Sequence, residues 1–182
     1  MIDLRHPLPT GIEVGGVFYA LNTDFRVWIE FTRAASENDV ALRSIFKNQQ
    51  PEGNDWVPAA MEFAASENET PAKGKAKSNR IILDLIRDGD YIVGAFMQAY
   101  GIDLTTAHMH WHLFLALLRS LPKDCKLCEI MGYRSFTKND LKQKPEQQYA
   151  DLQKAWYLPP KPDAAIMEWQ EWAFGNLGNA PD

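Results

Sequence analysis

Cysteine is scarce in this sequence: two residues in 182, Cys125 and Cys128, only three positions apart. A pair that close cannot staple distant parts of a domain, which excludes a disulfide framework. Basic charge is not in excess either. Nineteen Lys and Arg against 24 Asp and Glu leave a formal net charge of −5 and a pI near 5.4. A general nucleic-acid binder would instead carry a basic face able to release counterions. No run approaches the roughly 18 uncharged apolar residues of a membrane span, and the N-terminus lacks the apolar stretch of a signal peptide. The expectation is a soluble, intracellular protein. GxSxG, a phosphate-cradling glycine loop and HExxH are all missing, so no catalytic residue, no cofactor and no enzymatic activity are expected.

What is there is a chain with 46% hydrophobic residues, long enough for one domain with a real core. Two short β-prone runs, 12–14 and 17–20, flank Gly15 and Gly16 and predict a tight hairpin. Thr23 or Asp24 can cap a helix whose apolar stripe is Phe25, Trp28 and Ile29. Further short helices are expected from about Asn38 and over "WVPAAMEFAAS". Residues 66–79, "SENETPAKGKAKSN", carry no large apolar side chain and read as a flexible linker between an N-terminal region, 1–65, and a helical core, 80–160.

In that core, Ile92, Phe96 and Tyr100 share a helical face, Asp88 or Asp90 can cap its start, and Gly101 suits a left-handed end. A second helix is expected from Thr105 or Thr106 to before Pro122, with Trp111, Phe114, Leu115 and Leu118 as its apolar stripe. It contains "HMHWH", three of the four histidines. As a strand this stretch would put His108, His110 and His112 on one face. As a helix it turns His110 away and leaves His108 and His112, with Cys125 and Cys128, as an alternative His2Cys2 metal set. A redox reading of the CxxC needs a preceding strand, and none is expected there. "DCKLCEIMGYR" reads as a short helix with Leu127, Ile130 and Met131 inward. The fold class is thus mainly α, a compact multi-helix domain with a small N-terminal β-hairpin.

Three segments together carry a likeness to a known family. They are "IVGAFMQAYGIDL", "HMHWHLFLALLRSLP" and "EIMGYRS", and the N-terminal "GGVFYALNTDFRVWIEF" adds a fourth. The chain resembles the bacteriophage gene-product-fifteen family on Phe96, Tyr100, Gly101, Ile102, Asp103, Leu104, Trp111, Phe114, Leu118, Tyr133 and Arg134, and on the Thr-Asp-Phe-Arg tetrad at 23–26. His112 departs from it, standing where the family usually has a second aromatic. The resemblance implies a non-catalytic tail assembly chaperone of long-tailed phages and prophages. Its partners would be the tape measure protein and other tail proteins, with further copies of the chain as another candidate partner, and neither nucleic acid nor membrane. It would act in the cytoplasm of the bacterial host and be absent from the mature virion.

Two further expectations concern single sites. Residues 161–182 hold an amphipathic helix pattern, with Ile166, Trp169 and Trp172 as candidate partner-binding residues. Asp103 and Arg134 each follow or close a helix, and an Arg–carboxylate fork between them is expected as a structural tie.

Overall fold

A computed structural model of the chain describes residues 3–37, 40–65, 81–135 and 146–159. Six α-helices and one two-stranded antiparallel sheet make up its regular structure among these residues, a mainly α fold as the sequence implies. No helix among them is long and apolar enough to cross a membrane. The chain divides into two compact units, one of residues 1–73 and 107–117, the other of 74–106 and 118–182. The linker expected at 66–79 lies outside the described residues.

The first unit begins with the hairpin. Strands β1 (Gly11–Val14) and β2 (Val17–Ala20) pair with Val14 opposite Val17. Gly15 and Gly16 take φ of 58° and 81°, the left-handed pair that a two-residue turn matched to strand twist requires. Ile12 and Tyr19 share the inner face, where Ile12 is buried and Tyr19 meets the Phe46 ring edge-on at 6.2 Å. Phe18, on the other face, is 59% exposed and lays its ring over Gly11.

Helix α1 (Phe25–Glu37) starts where Asp24 Oδ1 accepts the Arg26 N–H at 3.0 Å, an N-cap bond. Its buried stripe is Phe25, Trp28, Phe31 and Ala34, so the inward face follows steps of three toward Phe31, and Ile29 is only half-buried. Trp28 stacks on Phe63 at 4.4 Å and donates its indole N–H to the Asn22 carbonyl at 2.8 Å. The helix expected from Asn38 is instead a 3-10 turn, Val40–Ile45. Its continuation is claimed by the hairpin. Asn22 N–H bonds the Ile45 carbonyl and Lys47 N–H bonds the Ala20 carbonyl, which pulls the chain after Ile45 into extended pairing. Helix α2 (Val57–Ala65) follows and buries Ala60, Phe63 and Ala64.

In the second unit, α3 (Gly89–Tyr100) buries Ile92, Ala95 and Phe96 and ends as expected at Gly101, with φ 66° and its N–H on the Met97 carbonyl at 3.0 Å. An added methyl at Gly101 would touch nothing within 4 Å, so only the backbone resists substitution. Gly101→Ala is expected to cost about 1–2 kcal/mol by chemical denaturation, the price of a left-handed non-glycine residue.

Helix α4 (Trp111–Arg119) is shorter than the sequence suggests. The expected start at Thr105 or Thr106 is a turn, residues 107–109 take no regular structure, and His110 forms an isolated antiparallel bridge with Asp24. Residues 23–25 hold this stretch, because Phe25 N–H bonds the Met109 carbonyl at 3.0 Å and Trp111 N–H bonds the Thr23 carbonyl at 2.8 Å. Trp111, Phe114, Leu115 and Leu118 are buried as expected, whereas Leu113 is 41% exposed. Helix α5 (Lys126–Ser135) carries Leu127, Ile130 and Met131 inward, and α6 (Glu146–Ala155) packs against it.

Candidate functional site

The first unit joins two sequence-distant stretches. Around the Asp24–His110 bridge, Asp24 uses both carboxylate oxygens: Oδ1 caps α1 and Oδ2 lies 3.2 Å from Nδ1 of His108. Arg26 donates to the Ala107 carbonyl at 2.9 Å while its guanidinium covers the Phe25 ring at 4.6 Å. Phe25 in turn stacks on Phe114 at 4.8 Å, and Phe114 on Trp111 at 5.7 Å. The Trp111 indole reaches α2, donating to the Ala64 carbonyl at 2.8 Å. Thr-Asp-Phe-Arg and the residues around Trp111 therefore form one clasp.

The three histidines take separate jobs within it. His108 is on the surface, its side chain 90% exposed, and faces Asp24. His110 contacts the Pro9 carbonyl through Nε2 at 2.9 Å, while Nδ1 accepts the His112 N–H at 3.1 Å. Those two contacts fit one neutral tautomer, with Nε2 donating, and partial burial holds the ring's pKa below its ordinary value. His112 is buried, with Nε2 on the Phe63 carbonyl at 2.8 Å and its ring against Phe63 at 4.6 Å. Among the described residues, no group of three or more His, Cys, Asp or Glu side chains is placed to hold a metal ion; of the alternative set, His108 and His112 belong to the first unit and Cys125 and Cys128 to the second.

Both cysteines are free thiols of the second unit, Cys125 buried and Cys128 half-buried. Burial, helped by a hydrogen bond with Cys125 and by the nearby Asp124 charge, pushes the Cys128 thiol up to about 12. A redox CxxC needs the opposite, a thiolate stabilised near neutral pH. Alkylation of Cys128 at pH 8 is expected to run at least about tenfold slower than for an ordinary thiol near 8.5, measured by mass spectrometry of iodoacetamide-treated protein. Tyr100 shares these surroundings, and burial followed by the charge of the two cysteines raises its hydroxyl pKa.

A buried polar centre surrounds Arg134 in the second unit. Its guanidinium forks onto Asp88, Nη1 to Oδ2 at 2.6 Å and Nη2 to Oδ1 at 2.9 Å, with side chains 5% and 2% exposed. Nε donates to the Trp156 carbonyl at 2.7 Å and Nη1 also to the Ile82 carbonyl at 2.9 Å, so one side chain ties three segments of the unit. The fork closes on Asp88, not on the expected Asp103. Asp103 instead turns its carboxylate onto the N–H and hydroxyl of Thr105, at 2.8 and 2.6 Å, and these bonds hold it below the ordinary carboxylate range. Asp88 occupies the first position before α3, yet it makes no side-chain cap bond and accepts the Asp84 N–H at 2.9 Å. Asp84 is buried too, and its Oδ1 accepts the N–H groups of Ile86 and Arg87, both at 3.0 Å. The spacing "DLIRD", two acids four apart before a glycine, is the only hint of this in the sequence.

The family model described as Bacteriophage Gp15 protein matches residues 4–158. This chain belongs to the bacteriophage Gp15 family. Among curated proteins and among solved structures, nothing matches it significantly. In this Gp15 protein the residues of the family resemblance are distributed over both units. Trp111 and Phe114 build the clasp, and Phe96, Gly101 and Leu104 shape α3 and its exit. Tyr133 is half-buried and accepts a bond from Gln153 at its carbonyl, one residue before Arg134. Ile166, Trp169 and Trp172 lie outside the described residues.

Proposed function

We propose that this Gp15-family protein is a non-catalytic tail assembly chaperone. It binds the helical tape measure protein in the host cytoplasm while the tail tube forms, and leaves before the particle is complete. Membership of the phage family over residues 4–158 carries this reading. The surface chemistry is compatible with it. A protein that holds an amphipathic helical client without strict sequence readout needs exposed apolar side chains in an acidic, soluble exterior. Val17, Phe18 and Leu113 of the first unit, and Ile86, Met97 and Tyr157 of the second, are large apolar residues that are 41 to 59% exposed.

Mass spectrometry of purified phage particles tests the transient part of this role. The protein is expected in lysates of the producing cells and missing from finished virions. A fixed copy number in particles would make it a structural tail component instead.

A further inference from the structure

The second unit holds a cavity of about 370 Å³ beside the Arg134 centre, walled by Ile81, Ala150, Gln153, Tyr157 and Leu158, with Lys154 also on its lining. The volume lies in the range of sites that take a drug-sized or large aromatic group. Its wall is mainly apolar, and the Lys154 ammonium has no hydrogen-bond or ion-pair partner among the described residues. The site thus suits an occupant with a large apolar side chain flanked by a carboxylate.

The chain itself carries such a segment. Residues 163–172, "DAAIMEWQEW", contain three acids and no base, and each tryptophan directly follows a glutamate, Glu168 before Trp169 and Glu171 before Trp172. The tether is short. Two of the cavity's own residues, Tyr157 and Leu158, lead directly into it, and Trp169 is eleven residues beyond Leu158, a reach of at most about 36–40 Å. A tether of that length, three of whose residues are proline, makes docking of the segment an intramolecular event rather than one that depends on protein concentration.

We propose that this cavity is the docking site of the chain's own 163–172 segment, with Trp169 or Trp172 in the apolar space and Glu168 or Glu171 paired with Lys154. The inference does not depend on the chaperone role and needs no client for its test.

Zero-length carbodiimide coupling of the full chain reads it directly, because the reagent joins a lysine amine to a carboxylate in contact with it, with loss of water. Proteolysis and mass spectrometry should find Lys154 linked to Glu168 or Glu171. The Lys126–Glu129 pair, 2.9 Å apart, serves as the internal standard for coupling. In an equal mixture of light and nitrogen-15 protein, the link should join only peptides of the same label. The double variant Trp169→Ala, Trp172→Ala keeps every coupling group, and should lower the Lys154 link by about tenfold relative to the standard. No Lys154 link, or an equal yield in the double variant, overturns the docking. Mixed-label links would put the segment of a second copy in the cavity and overturn the intramolecular assignment.

Discussion

Replacing Arg134 by Ala is expected to lower stability by about 3–5 kcal/mol, because it leaves the Asp88 carboxylate, 2% exposed, without its counter-charge. In a chain of this size that corresponds to a fall of roughly 6–20 °C in melting temperature. Thermal and denaturant unfolding followed by circular dichroism would measure it. The loss has two parts that further variants separate. Asp88→Asn removes the charge and keeps a polar group, whereas Asp88→Leu with Arg134→Met removes both charges. The double change should recover a good part of the single loss, since a buried pair replaced whole by apolar groups is often near neutral. It should not recover all of it, because the Ile82 and Trp156 carbonyls still lose their donor. Arg134→Lys should stay well below the parent, a point charge being unable to serve the fork and both carbonyls together. An unchanged melt with lost partner capture would instead make Arg134 an interface residue.

Trp111→Ala is the second large effect, about 3–5 kcal/mol by the same measurements. Trp111 is fully buried, stacks on Phe114, and bonds the Ala64 carbonyl. Its backbone N–H also closes the clasp on Thr23. Trp111→Phe keeps an aromatic ring and the backbone bond, gives up part of the indole's volume and leaves the Ala64 carbonyl without the indole donor, so a smaller loss of about 1–3 kcal/mol is expected. If the phenylalanine variant lost as much as the alanine one, the indole's donor and its five-membered ring, rather than the stacking on Phe114, would dominate at this position.

Local physics was legible in the sequence, and choices among distant partners were not. The Gly15–Gly16 turn and the Gly101 helix end depend on backbone conformations that glycine alone adopts easily, so composition reveals them. The core stripe of α4 likewise follows from spacing. Its start does not. Whether residues 107–110 join the helix is decided by the backbone groups of residues 23–25, more than 80 positions away. The same competition shortened the segment after Val40, where the hairpin takes the backbone bonds that a longer helix would have used. Arg134 had several acids within reach of a sequence argument, and Asp103 looked suitable because it follows a helix end. A neighbouring threonine offers Asp103 two short local bonds, whereas Asp88 is buried with Asp84 and has a guanidinium to face. For the histidines, period alone allowed one shared face or two, and the real segment changes from irregular to helical in the middle of "HMHWH". Each ring was then claimed by a different neighbour.

The claim that this Gp15-family protein serves the tape measure protein is tested most directly by co-expressing the two from the same phage or prophage genome. Affinity capture of the chain, with and without a chelator, is the measurement. The tape measure protein is expected to elute with it in both cases. Capture of the chain alone, with the tape measure protein soluble but left in the flow-through, would contradict the claim.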